Sequence, residues 1–217
     1  MAQTYTREEF VAYYGPYISQ ATKSTGILTG TVVAQAIIES QGKVNGSYRV
    51  GGSKLSREAN NFFGIKCHNW TGKTYNINTG EQDESGNSYI ESNACFRAYD
   101  SVEDSIDDYV QFLLNNSNYR NAGVFDADTV YEQAEALKRA GYATDVNYAS
   151  KIGSIYDGVS VYVDKYSRYG IKSIWRSFKN SPSAFIKRNE SAFIGVGTLA
   201  VSLSLCVYLL VKHNRKK

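Results

Sequence analysis

The run AFIGVGTLAVSLSLCVYLLV, residues 192–211, is twenty consecutive residues without a charge, and it limits what this chain can fold into more than any other stretch. As a helix it extends about 30 Å, the thickness of a bilayer's hydrocarbon core. A helix of a water-soluble domain keeps a polar face, and this one has none. Gly195, Gly197, Ser202 and Ser204 suit a membrane helix, whose backbone hydrogen bonds are internal. The sequence therefore predicts one C-terminal transmembrane helix over 191–212 and a basic tail over 213–217. Lys and Arg flank both ends, so the positive-inside rule does not set the orientation.

The formal net charge of +3 conceals a division. Residues 1–160 carry 13 Lys and Arg against 19 Asp and Glu, whereas residues 161–217 carry 11 against 2. A nucleic-acid-binding domain places its positive charge on the folded part, so no nucleic-acid partner is expected. In GIKSIWRSFKN, Ile171, Ile174, Trp175 and Phe178 recur at helical spacing, with Lys172, Arg176 and Lys179 on the remaining faces. A basic helix with an apolar stripe beside a membrane span lies in the interface plane. Residues 161–190 are thus expected to form a basic amphipathic juxtamembrane segment, and the lipid bilayer, through residues 192–211, is a predicted partner. The start, MAQTYTREEF, has neither the basic nor the apolar part of a secretory signal.

Cys67, Cys95 and Cys206 make an odd count. Cys206 falls in the apolar run, and Cys67 and Cys95 bracket an expected hairpin, where they can pair in an oxidising compartment; the sequence leaves that pairing open. His68 and His213 stand alone, so no metal and no cofactor are expected.

Residues 1–160 read as one α+β, mainly α, domain. TREE at 6–9 is a capping box opening a helix through Phe10, Tyr13, Tyr14 and Tyr17, with a disturbance expected at Gly15-Pro16. A second helix runs to about Ser40, burying Val32, Val33, Ala36 and Ile37. Residues 41–61 read as loop. Strand-like stretches at Tyr75–Ile77 and Ala94–Tyr99, with Gly80 and Gly86 as turn positions, predict a small β-hairpin insertion. Ser101 and Asp104 cap a helix striped by Val102, Ile106, Tyr109, Val110 and Leu113. Another helix spans Thr129 to Ala140, closed by Gly141, and Asp145 is expected to cap a last helix carrying Ala149, Ile152 and Ile155.

The second helix ends in a carboxylate, Glu39, although a helix C-terminus disfavours negative charge by roughly 0.3–1 kcal/mol. Its surroundings explain the choice. IIESQGKVNGSYRVGGSKLSREANNFFGIK is followed in order by NWTGK, TGE, FRAYDSVEDSIDDYVQFL, NSNY and AGYATDVNYASKI. This series resembles glycoside hydrolase family 73, the bacterial and phage endo-β-N-acetylglucosaminidases related to the peptidoglycan-hydrolase domain of flagellar assembly proteins. The resemblance covers roughly residues 5–158. It implies a lysozyme-like fold and cleavage of β-1,4 bonds in peptidoglycan glycan strands, on the reducing side of N-acetylglucosamine.

By motif, Glu39 takes the place of the catalytic acid and Glu81, in TGE, that of the second carboxylate, with Asp83 and Glu84 as alternatives. The chemistry makes the same demand of Glu39, because a proton must reach the leaving oxygen as charge develops on the sugar. A carboxylic acid does this near neutral pH when burial against apolar surface raises its pKa, as expected beside Ile37, Ile38 and NNFF. Tyr142 is expected to orient Glu39 or hold the substrate's acetamido group. Asn61, Phe63, Trp70, Tyr119 and Tyr148 are the expected substrate contacts, Trp70 being equally readable as core, and Phe62 is assigned to the core.

Wall-binding repeats, present in many members of that family, are absent, and the apolar run stands in their place. The expected location is a single-pass C-terminal anchor in a bacterial inner membrane or in the membrane of a lipid-containing phage virion. There the domain would act in lysis or in opening the wall during infection. The competing readings are a non-catalytic glycan-binding or structural membrane protein, and a holin-like fusion whose span permeabilises membranes.

Overall fold

The computed structural model describes residues 3–82 and 87–166, all within the first of two compact units, Met1–Gly170. The second unit, Ile171–Lys217, lies outside the described residues, and with it the transmembrane helix, the basic tail and most of the juxtamembrane segment. Asp83, Glu84 and Gly86 lie outside them as well. Among the described residues no helix is long and apolar enough to cross a membrane.

Helix α1 (Arg7–Ala21) starts at the predicted box: Glu9 N donates to Thr6 Oγ1 at 3.1 Å, and Thr6 N donates to Glu9 Oε2 at 2.7 Å. The helix continues through Pro16, contrary to the expected disturbance. An internal proline costs about 3 kcal/mol, but Phe10, Val11, Tyr14 and Ile18 are buried on either side of it. Each fully buried apolar side chain contributes about 1.5–3 kcal/mol, so packing outweighs the lost bond.

Helix α2 (Thr29–Ser40) is the buried axis of the domain, and Val32, Val33, Ala36 and Ile37 are each 0% exposed. Around it pack α1, α6 (Val130–Arg139) and α7 (Tyr148–Asp157). A Cβ on Gly30 would stand 2.4 Å from Tyr156 Cε2, so α2 and α7 approach closely only because residue 30 has no side chain.

The segment expected as loop after α2 is more ordered than its composition suggested. It holds a two-stranded hairpin, β1 (Gly42–Val44) with β2 (Ser47–Arg49), and helix α3 (Lys54–Ala59) capped by Ser53. Asn45 and Gly46, at φ 51° and 83°, form the turn. The dipeptide Asn-Gly is a strong hairpin signal, but three-residue strands offer no alternation to support it.

The insertion is an antiparallel hairpin, β3 (Thr74–Gln82) with β4 (Ser88–Arg97), longer than predicted. Gly80, expected in the turn, lies inside β3 opposite Ile90. Residues 65–67 run beside the base of β4, with Arg97 N donating to Ile65 O at 3.0 Å and Cys67 N to Cys95 O at 2.9 Å. Cys67 and Cys95 are joined there in a disulfide, their Cα atoms 5.4 Å apart.

The remaining helices follow local signals. Helix α4 (Val102–Asn115) opens on the Ser101–Asp104 box and α6 on a Thr129–Glu132 box. Between them lie α5 (Ser117–Asn121) and a 3₁₀ turn, Val124–Asp126, neither of which was expected. Helix α7 is preceded by Asn147 rather than by Asp145, which instead accepts from Asn147 N at 2.9 Å through its carboxylate and from Tyr148 N at 3.1 Å through its carbonyl. A further helical stretch over 160–166 contributes Val163 to the core, so packing runs past residue 160.

Candidate active site

The end of α2 carries Glu39, half-buried, into a groove of about 1530 Å³. One wall of the groove is the NNFFGIK loop, wrapped around a single side chain. Asn61 Nδ2 donates to Ile65 O at 3.0 Å and Arg97 O at 2.9 Å, while its Oδ1 accepts from Phe63 N at 3.3 Å and Ile65 N at 3.2 Å. Phe63 stacks on Tyr109 of α4 with ring centroids 4.1 Å apart. Gly64, at φ +67°, then brings backbone past the acid, and a Cβ there would meet Glu39 Oε2 at 3.8 Å. The left-handed conformation explains a glycine at this position, since a Cβ 3.8 Å from Glu39 would be in ordinary contact.

The opposite wall begins where α6 stops. Gly141, at φ +87°, donates to Lys138 O at 2.9 Å and Tyr142 N donates to Leu137 O at 3.0 Å, a Schellman closure. That closure aims Tyr142 at the groove. Its hydroxyl donates to Phe63 O at 2.8 Å, tying the two walls together. Burial pushes the Tyr142 hydroxyl well above its usual range, with Tyr109, Tyr148 and the Glu39 charge adding to the effect. Tyr148 is raised likewise, first by burial and then by the Glu39 charge. Burial alone pushes Tyr119 up to about 12.

The hairpin supplies a further wall through Ile77, Gly80, Tyr89 and Ile90. Trp70 faces the groove at this side, with the Arg97 guanidinium 4.8 Å from its ring centroid. Arg97 Nη1 in turn donates to both carboxylate oxygens of Asp108 at 2.9 Å, and Tyr99 Oη donates to Asp108 Oδ2 at 2.7 Å. Lys151 holds Asp145 at the rim, and its hydrogen bond, with that from Asn147 N, keeps the carboxyl of Asp145 below the usual range.

Of the residues singled out from the sequence, Glu39, Phe63, Trp70, Tyr119, Tyr142 and Tyr148 line this one groove. Glu81 stands on β3 opposite Tyr89, next to Gly80; its side chain is not among those described. One role changes: Asn61 is 1% exposed with its amide committed to loop carbonyls and N–H groups, so it shapes the wall rather than touching sugar. Tyr142 lines the groove with its proton on Phe63 O, which ties it to the loop beside Glu39 and leaves its oxygen able to accept. Phe62, stacked on Phe10, is core as expected.

The sequence did not single out as site residues Gln35, Ser40 and Tyr109, which hold the site from beneath, nor Arg97, which lines it beside Trp70. Gln35 carried a usable signal: a polar residue one helical turn before Glu39, on a helix otherwise apolar around it.

Comparison with known proteins agrees with this geometry. Residues 15–161 match the glucosaminidase family, described as mannosyl-glycoprotein endo-beta-N-acetylglucosaminidase. The chain is 36% identical over 157 residues to the peptidoglycan hydrolase FlgJ of Pseudomonas aeruginosa, covering 71% of this chain and 37% of that protein. It is 34% identical over 134 residues to the exo-glucosaminidase LytG of Bacillus subtilis, covering 60% of this chain and 44% of that protein. The match thus spans less than half the length of either relative. A crystal structure of a peptidoglycan hydrolase mutant from Sphingomonas sp. A1 superposes with a TM-score of 0.57 at 31% identity, over 70% of this chain and 94% of that one. The chain, with its acid at the end of a buried helix and its aromatic groove, belongs to the glucosaminidase family of glycoside hydrolases, as the order of its motifs implied.

Proposed function

We propose that the chain cleaves β-1,4 glycosidic bonds of bacterial peptidoglycan on the reducing side of N-acetylglucosamine. The observation that carries the reading is the placement of Glu39, half-buried at the end of α2, among Phe63, Tyr142 and Tyr148 in a groove of about 1530 Å³. Glu39 is the general acid, passing its proton to the glycosidic oxygen as the bond to the sugar carbon breaks. Glu81 is the second carboxylate, carried on the hairpin wall, with Asp83 and Glu84 the alternatives. Aromatic rings of Trp70 and Tyr119 meet the apolar faces of the sugars. The names of the relatives, peptidoglycan hydrolase and glucosaminidase, support the substrate class.

The test is turbidity loss of purified cell walls together with release of reducing ends. Glu39→Gln is expected to lower the rate by about 10²–10⁴-fold, the usual contribution of a general acid. Equal clearing by that variant would remove Glu39 from the mechanism. Retention of walls by the unaltered protein without release of reducing ends would favour a glycan-binding scaffold instead.

The reading includes a tether. Residues 192–211 hold the enzyme in a membrane, raising its local concentration at the wall. The Cys67–Cys95 disulfide supports a site of action in an oxidising compartment, on the wall side of that membrane. A phage lysis enzyme, or a virion enzyme opening the wall during infection, fits both features. The full chain is expected to float with lipid vesicles, whereas a chain ending at residue 166 stays in solution; equal behaviour of the two would refute the tether.

A further inference from the structure

Beneath the groove lie three buried polar groups that the hydrolytic scheme does not use. Tyr109 Oη donates to Gln35 Oε1, and Gln35 Nε2 donates to Tyr148 Oη at 2.7 Å. Tyr109 and Gln35 are each 0% exposed and Tyr148 is 3% exposed. Gln35 sits one turn ahead of Glu39 on α2, and Tyr148 is the first residue of α7. Only Tyr148 of the three lines the groove.

The polarity of this chain follows from satisfying its most buried member. The Tyr109 ring is held between Phe63, stacked at 4.1 Å, and Tyr142, edge-on at 6.0 Å. Among the described residues its hydroxyl has Gln35 as hydrogen-bond partner. A buried hydroxyl without an acceptor is strongly disfavoured, so the Tyr109 proton goes to the Gln35 carbonyl oxygen. That choice turns the amide nitrogen of Gln35 toward Tyr148. An N–H directed at Tyr148 Oη occupies a lone pair, so Tyr148 cannot give its own proton to Gln35. The proton is left for the groove side, where Glu39 lies close enough for its charge to act on this hydroxyl. With the amide turned the other way, Tyr148 would donate to Gln35 and offer the groove only an acceptor.

We propose that Tyr109 and Gln35 are positioning residues that fix the Tyr148 hydroxyl as a hydrogen-bond donor to the glycan beside Glu39. The group it meets is an acceptor oxygen of an N-acetylated sugar, a hydroxyl or the acetamido carbonyl. The inference deepens the hydrolase reading and rests on it.

A double-mutant cycle on the full chain in detergent tests it, with release of reducing ends from soluble wall glycan fragments as the readout. Tyr109→Phe keeps the ring and its stacking but frees the Gln35 amide to turn. Tyr109→Phe and Tyr148→Phe are each expected to lower kcat/KM about tenfold, the effect of one misdirected hydrogen bond. The double variant is expected to be no worse than Tyr148→Phe alone. A double variant whose loss is the product of the two single losses would mean that Tyr109 acts only through packing, and would overturn the proposal. Gln35→Met carried through the same cycle guards against misfolding of Tyr109→Phe. In the unaltered protein, the Gln35 side-chain carbonyl carbon is expected to shift in the NMR spectrum on deuteration of the Tyr109 hydroxyl. A shift tied to the Tyr148 hydroxyl would overturn the proposal without any variant. Glu39→Gln is run alongside: loss there with no effect of Tyr109→Phe sinks the positioning role and leaves the hydrolase reading standing. Absence of reducing ends from the unaltered protein sinks the reading itself.

Discussion

Ser40 ties the end of α2 to the segment that follows, and so decides where its neighbour Glu39 sits. Its Oγ donates to Ala36 O at 2.5 Å and accepts from Gly51 N at 3.0 Å. Its carbonyl accepts from Ser53 N at 2.8 Å and from Ser56 Oγ at 3.2 Å. The Ser40 carbonyl, one of those a helix end leaves without an intrahelical partner, is thus satisfied by the protein. Gly42 allows the return crossing, since a Cβ there would stand 2.5 Å from Gly52 backbone atoms. Ser40→Ala leaves the buried Gly51 N–H without its acceptor and is expected to lower unfolding free energy by about 1–3 kcal/mol in urea. A change below about 0.5 kcal/mol, the scale of an ordinary surface substitution, would show that the serine is incidental. The acid itself was legible in the sequence because a carboxylate at a helix end stands out. Ser40 was not, because three of its four bonds reach Gly51, Ser53 and Ser56, which only folding brings near.

At the scale of elements, the hairpin and the NNFFGIK loop behave as one wall. The disulfide joins residues 28 apart in sequence, and the backbone bonds at Ile65 and Cys67 zip the loop onto β4. Closing a loop of that length in the unfolded chain corresponds to about 3–4 kcal/mol of stability in the chain-entropy account. Replacing both cysteines by serine is expected to lower unfolding free energy by that amount. It should also reduce wall clearing at temperatures where the domain stays folded, because the hairpin wall is no longer fixed to the loop beside Glu39. Unchanged clearing with lowered stability would confine the bond to a structural role. Elements with local signals were readable: the boxes at Thr6 and Ser101 and the glycine stop at Gly141 lie within a few residues of the helices they bound. The short strands β1 and β2, and the full length of β3 and β4, were not. Thr74–Gln82 alternates only around Tyr75 and Ile77, and the rest of the ladder is held by backbone bonds that carry no side-chain pattern.

The whole molecule is tyrosine-rich, with 18 in the chain, and several are built into its interior. Burial pushes Tyr5 up to about 12, and it also raises Tyr14, Tyr99, Tyr109, Tyr142 and Tyr148. A group raised on folding stabilises the fold fully below its unfolded pKa, near 10 for tyrosine, and loses that contribution as pH rises through the folded value. Stability is therefore expected to hold flat to about pH 10 and to fall steeply from there toward pH 12. Urea unfolding across that range, with tyrosinate absorbance followed in parallel, checks it. Tyrosines that ionise near pH 10 without loss of structure would contradict the buried network.

The sequence by itself determined the class of fold, five of the helices and, through the order of its motifs, the family, because these are written locally along the chain. Only the tertiary structure decided which polar side chains meet the groove and which hold it up. Tyr142 reaches a carbonyl 79 residues away and Gln35 a hydroxyl 113 residues away. A side chain's residue type says that it must find a hydrogen-bond partner once buried, but which partner is fixed only when distant elements pack. Asn61 found its partners within the loop and became scaffold, Tyr142 is tied to Phe63 O at the groove, and Tyr148, already accepting from Gln35, keeps its own proton for the groove.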